Sequence, residues 1–163
     1  MLTTETVRTN PTLSEDQALR VAELWTIAYP EMRAILDRVI KAQREFEKPT
    51  RDVKALEQVR LELGQLDRGT YRGCTRGGPM FSVHAARSAV HEVLNVTWLG
   101  HPGAGNIYRL AGELADLAAA ANERMRAEDE ARRAERAQAA QSLDRVGPQR
   151  ADSKEQSTQG ASA

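Results

Sequence analysis

The sequence is poor in the residues that usually announce a function. It holds one cysteine, Cys74, among 163 residues, so no disulfide forms within the chain and no oxidising compartment is needed. Aromatic residues make up only 4%; Trp25, Trp98 and Phe81 could mark a ligand pocket, but core filling between slender, alanine-rich helices is the use expected. No apolar run approaches the roughly 20 residues that span a bilayer. The opening Met1-Leu2-Thr3-Thr4-Glu5-Thr6 has neither the charged nor the apolar region of an export signal. Together these absences read as a cytoplasmic protein. Net charge is missing too: 23 basic and 23 acidic side chains cancel, which argues against a chain that coats nucleic acid or anionic membrane indiscriminately. Lysine is scarce, 4 residues against 19 arginines. With abundant alanine, that is the composition of GC-rich coding, as in an actinobacterium or one of its phages, and origin in a phage or mobile element is expected.

What is present is an uneven distribution of charge. Residues 1–67 carry 10 basic and 12 acidic side chains, residues 68–109 carry 5 and 1, and residues 110–163 carry 8 and 10. The local excess of +4 coincides with three tandem Arg-Gly units, Arg68-Gly69, Arg72-Gly73 and Arg76-Gly77. Glycine lets a backbone follow a ligand closely, and each guanidinium presents five donors in a fixed fork to phosphate or carboxylate. Glycines at 69, 73, 77 and 78 disfavour a helix here. A loop over 68–79 is expected, with Arg68, Arg72 and Arg76 following a phosphate backbone and Tyr71 stacking on a base. The segment resembles the RG-rich stretches of RNA-binding proteins. An ordinary connection with solvated arginines, or a contact to an acidic protein surface, fits the same residues.

The rest of the pattern is helical. Ser14-Glu15-Asp16-Gln17 matches a capping box, and Ala18, Ala22, Trp25 and Tyr29 form the stripe of a first helix. Pro30 lacks an amide hydrogen and disfavours a helical residue before it, so a break is expected there, with a second helix starting at the proline. That helix has the clearest seam, Met32, Ile35, Val39, Ala42 and Phe46. A third runs from about Asp52 to Leu66 with Leu56, Val59, Leu63 and Leu66. A fourth, about Ser82 to Trp98, turns Val83, Ala86, Val90, Val93 and Thr97 inward. A fifth begins near Asn106 with Ile107, Leu110, Leu114, Leu117 and Ala121, then loses its apolar stripe. From Asn122 to Gln141 alanine, arginine and glutamate dominate, with Glu128–Arg132 and Asp129–Arg133 spaced for ion pairs. After Gly147-Pro148 the composition predicts disorder.

Three further groups bear on chemistry. Gly100-His101-Pro102-Gly103-Ala104-Gly105 has glycine spacing similar to a Walker A phosphate loop. The lysine and hydroxyl that such a loop needs are replaced by Asn106 and Ile107, so triphosphate and magnesium binding are lost. A turn, or one anion held by free amides at a helix start, remains. Trp98-Leu99-Gly100 is similar to the Trp-x-Gly turn of small secreted helical hairpins, but Tyr108 is not followed by their acidic export residue. Cys74, His84, His91 and His101 are the complete set of cysteine and histidine. Their spacing matches no common zinc pattern, and His84 and His91 lie about 10 Å apart along a helix.

These observations predict an all-α protein: a small antiparallel bundle of four to five helices over 14–121, preceded by a flexible segment 1–13. A charged helical extension over 122–141 and a disordered tail over 142–163 follow. The function expected is that of a small non-enzymatic regulatory protein contacting nucleic acid. The residues assigned to that contact are Arg68, Tyr71, Arg72, Arg76, His84, Arg87, Ser88, His91 and Asn95. No cofactor, metal or catalytic residue is assigned. A helical protein–protein interaction module, oligomeric or partner-inhibiting, is the second reading, and a His-based or metal-dependent enzyme the third.

Overall fold

Local signals start most of the helices. In the computed structural model, which describes residues 1–8, 12–73, 81–98 and 100–146, the Ser14 box is complete. The Gln17 amide donates to Ser14 Oγ at 3.3 Å, and the Ser14 amide donates to Gln17 Oε1 at 2.9 Å. Asp52 caps the third helix by accepting from the amides of Lys54 and Ala55, and Ser82 caps the fourth by accepting from Ala85. The described residues are all-α, with no strand: α1 (Thr4–Arg8), α2 (Glu15–Glu45), α3 (Val53–Asp67), α4 (Val83–Val96) and α5 (Ala104–Val146). None of these helices is long and apolar enough to cross a membrane.

Five helices among the described residues lie within the four to five expected, but two expected helices are fused and one is new. The break expected at Pro30 is absent, because α2 continues through the proline to Glu45. Proline in a helix interior costs about 3 kcal/mol relative to alanine. Met32, Ile35 and Leu36 are fully buried just beyond it, as are Trp25 and Ala28 before it. Each large apolar side chain buried in that stripe contributes roughly 1.5–3 kcal/mol, so the continuous stripe outweighs the proline. Within the turn before Pro30, the Thr26 hydroxyl donates back to the Ala22 carbonyl at 2.8 Å. The second difference is α1. The first thirteen residues, read as loose, contain a short helix whose Val7 is completely buried, with Leu2 nearly so.

Asp67 fastens α1 to the bundle. Its Oδ1 accepts from the Leu2 amide at 3.1 Å and from Trp25 Nε1 at 3.2 Å, and its Oδ2 lies 3.1 Å from the amine of Met1. The pairs between α2 and α3, Arg44 with Glu57, Asp37 with Arg60 and Trp25 with Asp67, run in opposite senses along the two helices. The two helices are therefore antiparallel, as their apolar seams imply. Gln43, not Phe46, completes the inner face of α2. Its side-chain oxygen accepts from the Thr50 and Arg51 amides and orders the α2–α3 connection, while Phe46 is the helix cap and 56% exposed. Helix α4 packs on α2 and α3. The first turns of α5 add Ile107, Leu110, Leu114, Leu117 and Ala118 to the same core, and Arg20 of α2 pairs with Glu113 at 2.9 Å.

The chain separates into two units, the first spanning Met1–Ala121 and the second beginning at Asn122. In the second unit every described side chain from Asn122 to Ser142 is exposed, and Glu128 pairs with Arg132 at 3.5 Å. Helix α5 extends to Val146, into the stretch read as disordered tail. The remainder of that tail, 147–163, lies outside the described residues.

Candidate functional site

The first Arg-Gly unit is a helix terminus. Arg68 caps α3, and Gly69 follows with φ +66°. The Gly69 amide donates to the Leu66 carbonyl at 3.1 Å and the Thr70 amide to the Gln65 carbonyl at 2.8 Å, the paired bonds of a Schellman motif. Thr6 of α1 packs against the bare face of Gly69, since a Cβ there would lie 2.3 Å from Thr6 Cγ2. Glycine is needed here for the turn and for close packing of α1. Tyr71 is half-buried against the core, while Arg72 is exposed. Arg76, Cys74 and the rest of 74–80 lie outside the described residues.

Helix α4 carries the other group. Val83, Ala86, Ala89, Val90 and Val93 face the core. The opposite side presents His84, Arg87, Ser88 and His91, which line a shallow depression of about 290 Å³. These four positions sit at i, i+3, i+4 and i+7, so the helical period gathers them on one surface. Asn95 continues the row, its Nδ2 lying 3.4 Å from His91 Nδ1. Its carbonyl accepts from Arg51 Nη2 at 3.0 Å, bringing another guanidinium to the C-terminal end of the row. Arg87 has no carboxylate partner among the described residues.

Of the residues assigned to the contact, His84, Arg87, Ser88 and His91 share one hollow, and Arg68 does not line it. Arg68 lines a different hollow, of about 280 Å³, with Arg33 of α2 and Glu57, Arg60, Leu61 and Gly64 of α3. No residue lines both hollows. Sequence patterning does not single out Arg33 and Arg60, because the apolar seams of α2 and α3 dominate those helices. The signal that was there is Gly64, a lone glycine inside a helix that alanine would favour by about 1 kcal/mol. It is buried, and a Cβ at that position would lie 3.3 Å from Arg68 Nη1 and 3.6 Å from Arg33 Nη1. The Arg33 Nε is buried with no acceptor among the described residues, an arrangement costing about 1–3 kcal/mol when left unmet.

The Gly100–Gly105 segment is a turn. His101 donates its amide to the Trp98 carbonyl at 3.2 Å, and Ala104 to that of His101 at 3.1 Å. Gly100 and Gly103 both have positive φ, and Glu31 of α2 packs onto Gly103. A carboxylate of the chain itself thus lies at the start of α5, where the helix dipole favours negative charge. His101 is buried against the edge of Trp98, with ring centroids 4.7 Å apart. It is buried where His84 and His91 are exposed, and no three His, Cys, Asp or Glu side chains gather as a metal site among the described residues. No family model matches the chain, and no curated protein or solved structure proves similar to it.

Proposed function

We propose that this is a small regulatory protein that contacts nucleic acid through the outer face of α4 and through the arginines of the Arg/Gly segment. The observation that supports this most directly is the shared hollow of His84, Arg87, Ser88 and His91. It places one permanent cation, two imidazoles and a hydroxyl on the outer side of a helix whose other side is core. Such a set donates to phosphate oxygens and reads base edges, and the surrounding segment supplies the only local excess of positive charge in a neutral chain. The arginines position the backbone; His84, His91 and Asn95 carry any preference for sequence.

Fluorescence anisotropy with mixed-sequence DNA and RNA, titrated across salt, tests this reading. Affinity should fall steeply with salt, because neutralised phosphates release counterions. Replacing Arg87 by alanine should weaken binding and reduce the slope of log K against log salt by about 0.9 on duplex DNA. Undetectable binding at low salt, or an unchanged slope in Arg87→Ala, rejects the proposal.

A second reading, a helical interaction module, draws support from the second unit, where a helix exposes every described side chain, including Met125 at 53%. A partner or a second copy would cover it. Light scattering coupled to size exclusion, with a pull-down beside it, separates the two: a monomer that retains no partner counts against the module.

A further inference from the structure

We infer a second ligand site on the opposite design principle to α4: a built hollow between α2 and α3 that takes the phosphate of a small phosphorylated molecule. Glu57, Arg60, Leu61, Gly64 and Arg68 follow each other along one stripe of α3, and Arg33 closes the hollow from α2. Three guanidiniums therefore face a volume of about 280 Å³, near the lower bound of small-molecule pockets, roughly 300 Å³.

The charges around the hollow are unequally satisfied. Arg60 is held by Asp37 at 2.8 Å, and Glu57 is taken up by Arg44. Arg33 and Arg68 have no carboxylate among the described residues, yet their Nη1 atoms lie 3.6 and 3.3 Å from the place a Gly64 Cβ would occupy. A Cβ there would touch Arg33 and press slightly on Arg68, so the glycine leaves the space between the two cations open. Arg33 donates through Nη1 to the Tyr29 hydroxyl at 3.3 Å and keeps a buried Nε with nothing to bond. Two like charges brought together with no carboxylate of their own repel. An oxyanion over Gly64 would supply a shared partner to the Nη atoms of both. A tetrahedral phosphate dianion suits the site better than a monocarboxylate, since its oxygens can accept from several guanidinium forks while balancing more than one positive charge. Leu61, half exposed at the rim, offers an apolar surface to whatever the phosphate carries.

This inference does not rest on the nucleic-acid reading, although Arg68 enters both; Arg33 belongs to the hollow alone. The test is thermal unfolding and calorimetry of the full chain with inorganic phosphate and, in a separate arm, glycerol phosphate, at constant ionic strength set with chloride. Saturable stabilisation by either ligand is expected. Tighter binding of the ester identifies a phosphorylated metabolite as occupant, and equal binding identifies free phosphate. Arg68→Gln should reduce affinity about tenfold or more, the loss of a charge-assisted hydrogen bond. Arg33→Gln should do the same while leaving nucleic-acid binding intact, and Arg33→Lys, which keeps the charge but not the fork, should fall between. Arg109→Gln, exposed on α5, should bind phosphate as the parent does. Absence of a saturable effect in the parent protein overturns the inference, as does equal phosphate affinity in parent, Arg33→Gln and Arg68→Gln.

Discussion

Helix α5 changes character along its length, although alanine stays abundant throughout. Residues 104–121 belong to the first unit and bury Ile107, Leu110, Leu114 and Ala118 completely. Residues 122–142 of the same helix bury no described side chain. In the first stretch, packing of large apolar groups holds the helix at roughly 1.5–3 kcal/mol each. In the second it depends on the propensity of alanine, glutamate and arginine, with ion pairs such as Glu128–Arg132 adding about 0.2–0.5 kcal/mol. The lesson is that one continuous element can answer to two kinds of energy. Substitutions should therefore divide by unit: large costs in the first, almost none in the second.

The sharpest demonstration should come from Trp25. It is fully buried, stacks on Tyr29 with centroids 6.0 Å apart, meets Phe81 edge-on at 5.7 Å and donates to Asp67. Trp25→Ala opens a cavity and takes a donor from the carboxylate that fastens α1. A loss of about 3–5 kcal/mol is expected by chemical denaturation; a loss below about 1 kcal/mol would mean that the three-ring cluster is not the centre of the first unit. Next comes Gly69→Ala, expected to cost about 2 kcal/mol. The left-handed conformation alone penalises alanine by roughly 1–2 kcal/mol, and the added methyl collides with Thr6. If Thr6→Ala recovers part of the loss, the collision is real; no recovery assigns the whole effect to φ.

These two residues also show what could be read from the sequence. The helices were legible from their apolar periods, and at Ser14 from a cap as well, because both signals are local; Asp52 and Ser82, read only as approximate starts, prove to be caps. The buried stripe of α4 and the first stripe of α5 follow the same way. Gly69 was visible as part of a repeat, yet its role depends on Thr6, more than sixty positions away in sequence, and no local rule joins the two. The α4 row was legible because a helix brings i, i+3, i+4 and i+7 together by itself. The α2–α3 hollow was not, since Arg33 and Arg68 meet only after two helices align antiparallel. Val7 and Leu2 were hidden for a related reason: a five-residue helix has no period to detect, and its stability comes from Asp67 and the core.

Pro30 tests that weighing of local against tertiary preference. The sequence rule placed a break, and the buried stripe on both sides carried the helix through. Pro30→Ala should restore a backbone donor to the helix, partly offset by a more flexible unfolded chain, which costs about 0.4–1 kcal/mol. A net gain of about 1 kcal/mol is expected from the melting temperature. A loss would show instead that the native path of α2 is shaped around the proline.

The smallest effect belongs to the second unit. Glu128→Ala removes an exposed ion pair but installs the best helix former, so the two changes nearly cancel. Stability of the first unit should stay unchanged, and the local change should remain below about 0.5 kcal/mol. Hydrogen exchange resolves this better than global unfolding does, because it reports each amide separately. Amides of residues 126–140 should open at low free energy, and those of residues 108–118 only with the bundle. If both stretches exchange together, α5 is one cooperative element after all. The second unit must then be covered by something beyond its own side chains, since propensity and exposed ion pairs cannot match the protection of a buried stripe.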